Sequence, residues 1–201
     1  MPWPNRVTPF GEIVAVPERG TLMGNRGCLI NQRRELILSY KLKRWISCVL
    51  EFKGRRREVM TPGLYTELFF LDEATALAAG HRPCAECRRV DAHRFLELWN
   101  LANGEAVKRL PMLDEALHRE RLGGSHPLIL ADGVMVAVGT QAYVYLDGAY
   151  YPWSPGGYGA PAHVSGGLRQ LTPPSIARTL AAGYRPSLQK LIQIQSPVTP
   201  N

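Results

Sequence analysis

The chain has 201 residues, of which 45% are hydrophobic and 20% are charged, a composition that excludes a wholly disordered or fibrous protein. No apolar run approaches the ~18 residues of a membrane-spanning helix, and no basic-then-apolar leader follows Met1, so we expect a cytoplasmic protein with no membrane partner. The net charge of +7 favours a polyanionic partner.

Short strands separated by turn signals are predicted in the first third of the chain. Residues 1–24 are rich in proline and glycine and predict an irregular arm with one short strand at Ile13–Val16. Runs of β-branched, aromatic and apolar residues predict three more strands, at Glu35–Tyr40, Trp45–Phe52 and Leu64–Leu71.

Three helices are predicted next. Asp72 is a suitable N-cap for a short helix over Glu73–Ala79, and Gly80 suits the position after its end. A second helix is predicted over Asp91–Ala102 and a third over Met112–Leu122, each followed by glycine.

The last third predicts a hairpin followed by a helix. Strands are expected at Val134–Val138, Ala142–Leu146 and Ala149–Trp153, and the Asp-Gly pair at 147–148 is a strong signal for a two-residue hairpin turn. Two prolines open a final helix over 174–182.

Basic residues concentrate in one segment. Residues 26–57 contain ten Lys or Arg and two acidic residues, a net charge of +8, whereas the remaining chain carries −1. This segment is either a solvated basic face or an electrostatic footprint for nucleic-acid phosphates, DNA first among them. The candidate contact residues, which include three arginines beside a cysteine pair, are Lys43, Arg44, Lys53, Arg55, Arg56, Arg57, Arg82, Arg88 and Arg89.

The four cysteines are the strongest chemical signal. Cys84 and Cys87 are spaced i, i+3, so a tight turn can direct both sulfurs at one ion about 2.3 Å away, as in zinc sites. Cys48, in the middle of a predicted strand, is the first choice for a third ligand. The candidates for the fourth ligand are Cys28, His81 and His93.

Three other interpretations of the cysteine pair stay open: free thiols, a redox pair and a deaminase. A redox pair is disfavoured because the pair does not lie in a βαβ pattern. Zinc deaminases combine a cysteine pair with His-x-Glu, a form that recurs at His118-Arg119-Glu120. In deaminases, however, that motif precedes the cysteines, and in a helix these two side chains point about 200° apart.

Residues 70–87 read Phe-Leu-Asp-Glu-Ala-Thr-Ala-Leu-Ala-Ala-Gly-His-Arg-Pro-Cys-Ala-Glu-Cys. This stretch, within residues 65–95, resembles the second half of the metal-binding domain of the Ada family. The resemblance implies that Cys84 and Cys87 bind zinc and that the domain sits on DNA. It also implies DNA-repair chemistry, in which one zinc-bound cysteine accepts a methyl group from a methylated phosphotriester. The family's first two cysteines form C-x-x-x-C, whereas Cys28 and Cys48 are twenty residues apart, so the resemblance assigns the acceptor role to neither.

Together these observations predict an α+β protein. An irregular arm at 1–24 is followed by a zinc-binding module at 25–104 and by a helix, hairpin and helix at 105–201 packed against it. The first functional hypothesis is a zinc protein that contacts nucleic acid through its basic segment. The alternatives are an Ada-like alkyl acceptor or another zinc or cysteine enzyme, and a zinc-stapled module that binds an acidic protein, so the sequence leaves open whether the chain is an enzyme.

Overall fold

The computed structural model describes residues 1–56, 58–104, 106–123, 127–164 and 166–189. Within these ranges the chain forms four helices and two β-sheets, which confirms the predicted α+β class. The elements in chain order are β1 (Arg6–Val7), β2 (Ile13–Val14), β3 (Leu22–Asn25), β4 (Ile46–Val49), β5 (Leu68–Phe70), α1 (Glu73–Ala78), β6 (Arg82–Pro83), α2 (Arg89–Asn103), α3 (Leu110–Leu122), β7 (Met135–Val138), β8 (Gln141–Leu146), β9 (Ala149–Ser154), β10 (Gly157–Tyr158), β11 (Arg169–Gln170) and α4 (Pro174–Ala181).

The first sheet has the strand order β2-β1-β5-β3-β4-β6. The predicted strand at Ile13–Val16 corresponds to β2, at Ile13–Val14. The prediction missed β1 and β3; residues 1–24 also supply β1 and most of β3 between irregular stretches. The glycines that suggested a loop instead allow strands to approach closely. A Cβ added at Gly24 would lie 2.2 Å from the carbonyl oxygen of Ile46 on β4, so only glycine fits this position in β3.

The predicted strand over Glu35–Tyr40 is also wrong. Only one isolated bridge forms there, between Leu36 and Ile30, and the side chains of Ile37 and Leu38 are exposed. Leu36 alone packs against the core of the first sheet. With no second strand to pair with, the β-forming residues of this segment do not form a strand.

Helix ends follow the predicted local signals. Asp72 caps α1 and accepts a hydrogen bond from the backbone N–H of Thr75 at 2.9 Å. Gly80 has a φ of +81° just after α1, and Gly104 ends α2 in the left-handed conformation. All six residues of α1 are buried, so this short helix is stabilised by packing as well as by its cap.

The second sheet has the order β10-β9-β8-β7-β11. The predicted hairpin is confirmed, because positive φ at Asp147 and Gly148 turns β8 back onto β9. Tyr158 on β10 packs with Leu71 and Met135, and its hydroxyl donates to the carboxylate of Asp72 at 2.8 Å. The C-terminal sheet is thereby packed against the start of α1.

Candidate metal centre

Three cysteines meet at the edge of the first sheet. Cys48 lies on β4, and β6 runs parallel beside it with Ser47 opposite Pro83, so the turn after β6 places Cys84 and Cys87 next to Cys48. The backbone N–H of Cys84 donates to the carbonyl of Ser47 at 2.9 Å. The three sulfurs lie within 4.8 Å of one another. Ligand sulfurs around a tetrahedral zinc ion are about 3.8 Å apart, so the group can hold such an ion.

Backbone N–H groups hold the cysteine turn in shape. The N–H of Glu86 points at the sulfur of Cys84 at 3.4 Å. The carbonyl of Cys84 accepts from the N–H of Arg88 at 3.0 Å, directly before α2 begins. Donors directed at a sulfur favour its thiolate form, which is the form that binds a metal ion.

The three thiols differ in acidity. The hydrogen bond from Cys48, with help from backbone N–H groups of Cys87 and Glu86, lowers the pKa of Cys84 to about 5. The same hydrogen bond, in which the thiol of Cys48 is the donor, raises the pKa of Cys48, and burial raises it further. Burial also raises the pKa of Cys87. Without an ion, negative charge concentrates on Cys84, and a bound cation would be needed to hold all three as thiolates.

Cys28 lies outside this group of three. β3 runs antiparallel to β4 with Met23 opposite Cys48 and Asn25 opposite Ile46, so the chain after Asn25 runs away from Cys48. The sulfur of Cys28 lies 3.8 Å from the carbonyl oxygen of Ile30 instead. The structure therefore does not bring Cys28 to the other three cysteines as a fourth ligand.

The two candidate histidines are also elsewhere. His81 is fully buried, and its Nε2 accepts a hydrogen bond from Nε of Arg26 at 3.3 Å. His93 is exposed on α2 and lines an open groove with Arg89 and Arg94. Among the described residues, the only cluster of three or more His, Cys, Asp or Glu side chains that could hold one metal ion is Cys48, Cys84 and Cys87.

Arg82 and Arg88 are not surface residues, which corrects their assignment to phosphate contacts. Arg82 is 3% exposed and makes two hydrogen bonds to the carboxylate of Asp114, at 2.9 and 2.8 Å. Arg88 is buried and donates to Glu73 at 2.7 Å and to Asp91 at 3.0 Å. Arg88 also donates to the hydroxyl of Ser47 on β4 at 3.0 Å, so both guanidinium groups hold helices to the first sheet.

The remaining basic candidates that the structure describes are exposed. Arg55 donates to the carboxylate of Glu86 at 2.6 Å, which places the loop after β4 directly on the cysteine turn. Arg57 lies outside the described residues. The exposed candidates are Lys43, Arg44, Lys53, Arg55, Arg56 and Arg89.

The possible deaminase motif is not at the cysteines. His118 contacts the ring of Tyr40 with ring centres 5.3 Å apart, and the carboxylate of Glu120 accepts from the hydroxyl of Ser175 at 2.7 Å. Neither residue belongs to the cysteine group, so the described geometry gives no support to that interpretation.

Comparison with known proteins adds no relative. No family model, curated protein or solved structure matches this chain. The resemblance to the Ada family therefore stays a prediction. Among the described residues, no helix has both the length and the apolar character to cross a membrane.

Sequence reasoning missed a second polar cluster, built around Trp45. The guanidinium carbons of Arg26 and Arg121 lie 4.0 and 4.4 Å from the centre of the Trp45 ring. No spacing along the chain could reveal this contact, because Arg121 lies on α3, 95 positions after Arg26. The sequence alone marks Arg26 only as part of the basic segment, and Trp45 only as a residue of a predicted strand.

Proposed function

We propose that the three cysteines bind zinc and that the protein holds a nucleic-acid backbone, most simply DNA, against the basic residues beside that ion. The observation that carries the proposal is the contact between Arg55 and Glu86. Glu86 lies between Cys84 and Cys87, so this contact places the exposed cations of the loop at 53–56 next to the metal ligands.

The choice of zinc follows from the ligands. Thiolates are soft donors that suit Zn²⁺, and three sulfurs in a tight group are typical of zinc sites rather than of Mg²⁺ or Ca²⁺ sites, which prefer oxygen. Bound zinc would supply a fixed positive charge that keeps Cys48, Cys84 and Cys87 as thiolates. Three thiolates around one Zn²⁺ carry a net charge of −1, which the cationic side chain of Arg55 nearby partly offsets.

The basic loop at 53–56 is suited to phosphate contact. Lys53, Arg55 and Arg56 are all exposed. Their one ion pair within the described residues, Arg55 with Glu86, is itself exposed on both sides, and such pairs contribute little to stability. A phosphate can therefore replace Glu86 as the partner of Arg55 without a large loss.

The salt dependence of DNA binding tests the basic loop. Removing one cation that binds a phosphate should make the slope of log K against log salt less negative by about 0.9. The triple variant K53Q/R55Q/R56Q should therefore reduce the slope by about 2.7 if all three side chains bind phosphate. The matched control K108Q/R109Q/R185Q removes the same charge from residues elsewhere on the chain and should change the slope much less.

Two results would count against this function. Equal slopes for the two triple variants would mean that net charge alone, rather than this loop, attracts DNA. No retention of any nucleic acid at low salt would favour the alternative of a module that binds an acidic protein. Metal analysis is the parallel test of the ion: we expect one zinc per chain, absent from Cys48→Ser and kept in Cys28→Ser.

Partial exposure of Cys87 favours a second candidate, transfer of an alkyl group to this sulfur. Cys48 and Cys84 are buried, whereas Cys87 is reachable from solvent. Its thiolate would attack the methyl carbon of a methylated phosphotriester; the S–C bond forms, the C–O bond breaks, and a phosphodiester anion leaves. A mass increase of about 14 Da, located on Cys87 by peptide mapping after incubation with methylated DNA, would support this reaction. A zinc-loaded protein of unchanged mass would exclude it.

A further inference from the structure

A cavity of about 560 Å³ lies between the first sheet, the C-terminal half of α3 and β11. None of the cysteines lines it, so it is separate from the metal centre. The described residues that carry its polar character are Arg26, Tyr40, His118, Arg121, Arg169 and Gln170.

Two arginines at this cavity are only partly satisfied. Arg26 is 1% exposed; its Nε donates to His81 at 3.3 Å and its Nη1 to the carbonyl of Gly11 at 2.9 Å. Arg121 donates from Nε to the carbonyl of Gly80 and from Nη1 to that of Lys43, both at 2.9 Å. In both side chains the Nη2 group is buried and has no hydrogen-bond acceptor among the described residues.

Among the described residues, no carboxylate bonds to either of these two arginines. Neither Asp nor Glu is among the described lining residues. Asp114 and Glu120 lie close enough to Arg121 to affect its pKa. Asp114 is already bonded twice to Arg82, and Glu120 is bonded to the hydroxyl of Ser175. Burial, and then the charge of Arg121, lowers the pKa of Arg26 to about 9; burial lowers the pKa of Arg121 to about 10.

The contacts of both guanidinium groups with the Trp45 ring are structural, but they provide no hydrogen-bond acceptor for Nη2. On both arginines, Nε and Nη1 have acceptors, which are the ring of His81 and the carbonyls of Gly11, Gly80 and Lys43. On both arginines, Nη2 has no acceptor among the described residues. A buried donor without an acceptor costs about 1–3 kcal/mol, and more when it is charged. Two such donors at one cavity are accounted for if an oxyanion accepts from both, because guanidinium groups match phosphate geometry.

The rest of the cavity fits a ring attached to that anion. Its volume is far greater than a phosphate alone requires and falls in the range of small-molecule sites, about 300–1,000 Å³. The rings of Phe10 and Tyr40 line it together with Leu171. Nδ1 of His118 and Nε2 of Gln170 are buried there without hydrogen-bond partners among the described residues, and these groups can bond polar atoms of a sugar or base.

We propose that this cavity binds a nucleoside monophosphate group, with the phosphate on Arg26 and Arg121 and the base among Phe10, Tyr40 and Leu171. The site needs neither the zinc ion nor DNA contact by the basic loop, so a test of nucleotide binding here is independent of the tests of the proposed function. The group can come from a free nucleotide or from the phosphorylated end of a strand, since both offer the same phosphate and base.

Calorimetric titration of the full chain with AMP tests the site. We expect saturable binding of one AMP per chain, at least 10-fold weaker binding of adenosine and inorganic phosphate, and at least 10-fold lower affinity for AMP in Arg121→Gln. Arg119→Gln is the matched control, because Arg119 is an exposed cation on the same helix that does not line the cavity. Its affinity for AMP should stay within two-fold of the unmodified chain.

Arg169→Gln keeps the test decisive if Arg121→Gln fails to fold. Arg169 is exposed at the cavity and stacks on Phe10, so its removal should weaken AMP binding several-fold without unfolding the protein. A 5′-phosphorylated trinucleotide separates the two sources: affinity equal to that of AMP points to a strand end, and much weaker affinity to a free nucleotide. No AMP binding, equal binding of adenosine or inorganic phosphate, or unchanged affinity in both cavity variants would overturn the proposal.

Discussion

Replacing Asp114 by alanine tests the buried ion pair that joins α3 to β6. The side chains of Arg82 and Asp114 are 3% and 7% exposed and share two hydrogen bonds. Without Asp114, the guanidinium of Arg82 keeps only the carbonyl of Pro83, at 3.0 Å, as an acceptor among the described residues. Removing one partner of a buried pair costs about 3–5 kcal/mol, because the remaining charge stays buried and unpaired.

Urea unfolding followed by circular dichroism measures this destabilisation. With a slope of about 2 kcal/mol per molar urea, the midpoint of Asp114→Ala should fall by about 2 M. Glu115→Gln is the control on the next residue. Glu115 pairs with Lys43 on the surface, with both side chains about half exposed, so its replacement should leave the free energy of unfolding nearly unchanged.

A double replacement distinguishes an unpaired charge from missing packing. Arg82→Met with Asp114→Leu removes both charges and keeps apolar volume, and such replacements of buried pairs are often neutral. The double variant should therefore recover most of the stability that Asp114→Ala loses. A destabilisation below about 1 kcal/mol for Asp114→Ala, or a double variant less stable than the single one, would refute this reasoning.

Three further outcomes are expected. Burial, with the charges of Arg26 and Arg121, holds the pKa of His81 well below 6.5, so below pH 6.5 the unfolded chain binds a proton that the folded chain does not. His81 should therefore lower the free energy of unfolding by up to about 1.4 kcal/mol per pH unit between about pH 6.5 and 5.5. In urea titrations His81→Gln, but not His163→Gln, should reduce this dependence, and the part that remains belongs to His118, whose pKa is also lowered by burial. Gly24→Ala should lower the free energy of unfolding by about 1–3 kcal/mol. Gly156→Ala is the control, because its added Cβ would meet only Cγ of Glu18, at 3.6 Å, and it should leave the stability unchanged. Equal melting temperatures for the two variants would contradict this prediction. A chelator should lower the melting temperature of the unmodified chain but not that of Cys48→Ser, and equal shifts in both would mean that the ion lies elsewhere.

The sequence predicts local features well because they depend on neighbouring residues. The Asp72 cap, the glycine after α1 and the Asp-Gly turn at 147–148 each use side chains or backbone within a few positions. The approach of Cys48 to Cys84 also agrees with the sequence-based expectation, since the predicted strand places Cys48 inside a sheet. These features need only residue type and short spacing.

Features that depend on distant packing could not be foreseen. The proline- and glycine-rich start of the chain forms strands because β5 and β4 supply partners for β1 and β3, which composition does not show. Arg82 and Arg88 look like surface cations until Asp114 and Glu73 are placed beside them. The exposed or buried state of an arginine is set by such partners, not by its neighbours in sequence.

The cysteine group connects parts of the chain that are far apart in sequence. Cys48 and Cys84 are 36 positions apart, so an ion held by both would close a long loop much as a disulfide does. Cross-linking a loop of that length lowers the conformational entropy of the unfolded chain and so raises the free energy of unfolding by about 4 kcal/mol. This is close to half the net stability of an ordinary domain. Unlike a disulfide, this cross-link would depend on the free concentration of an ion, so metal supply would govern the free energy of unfolding of the chain.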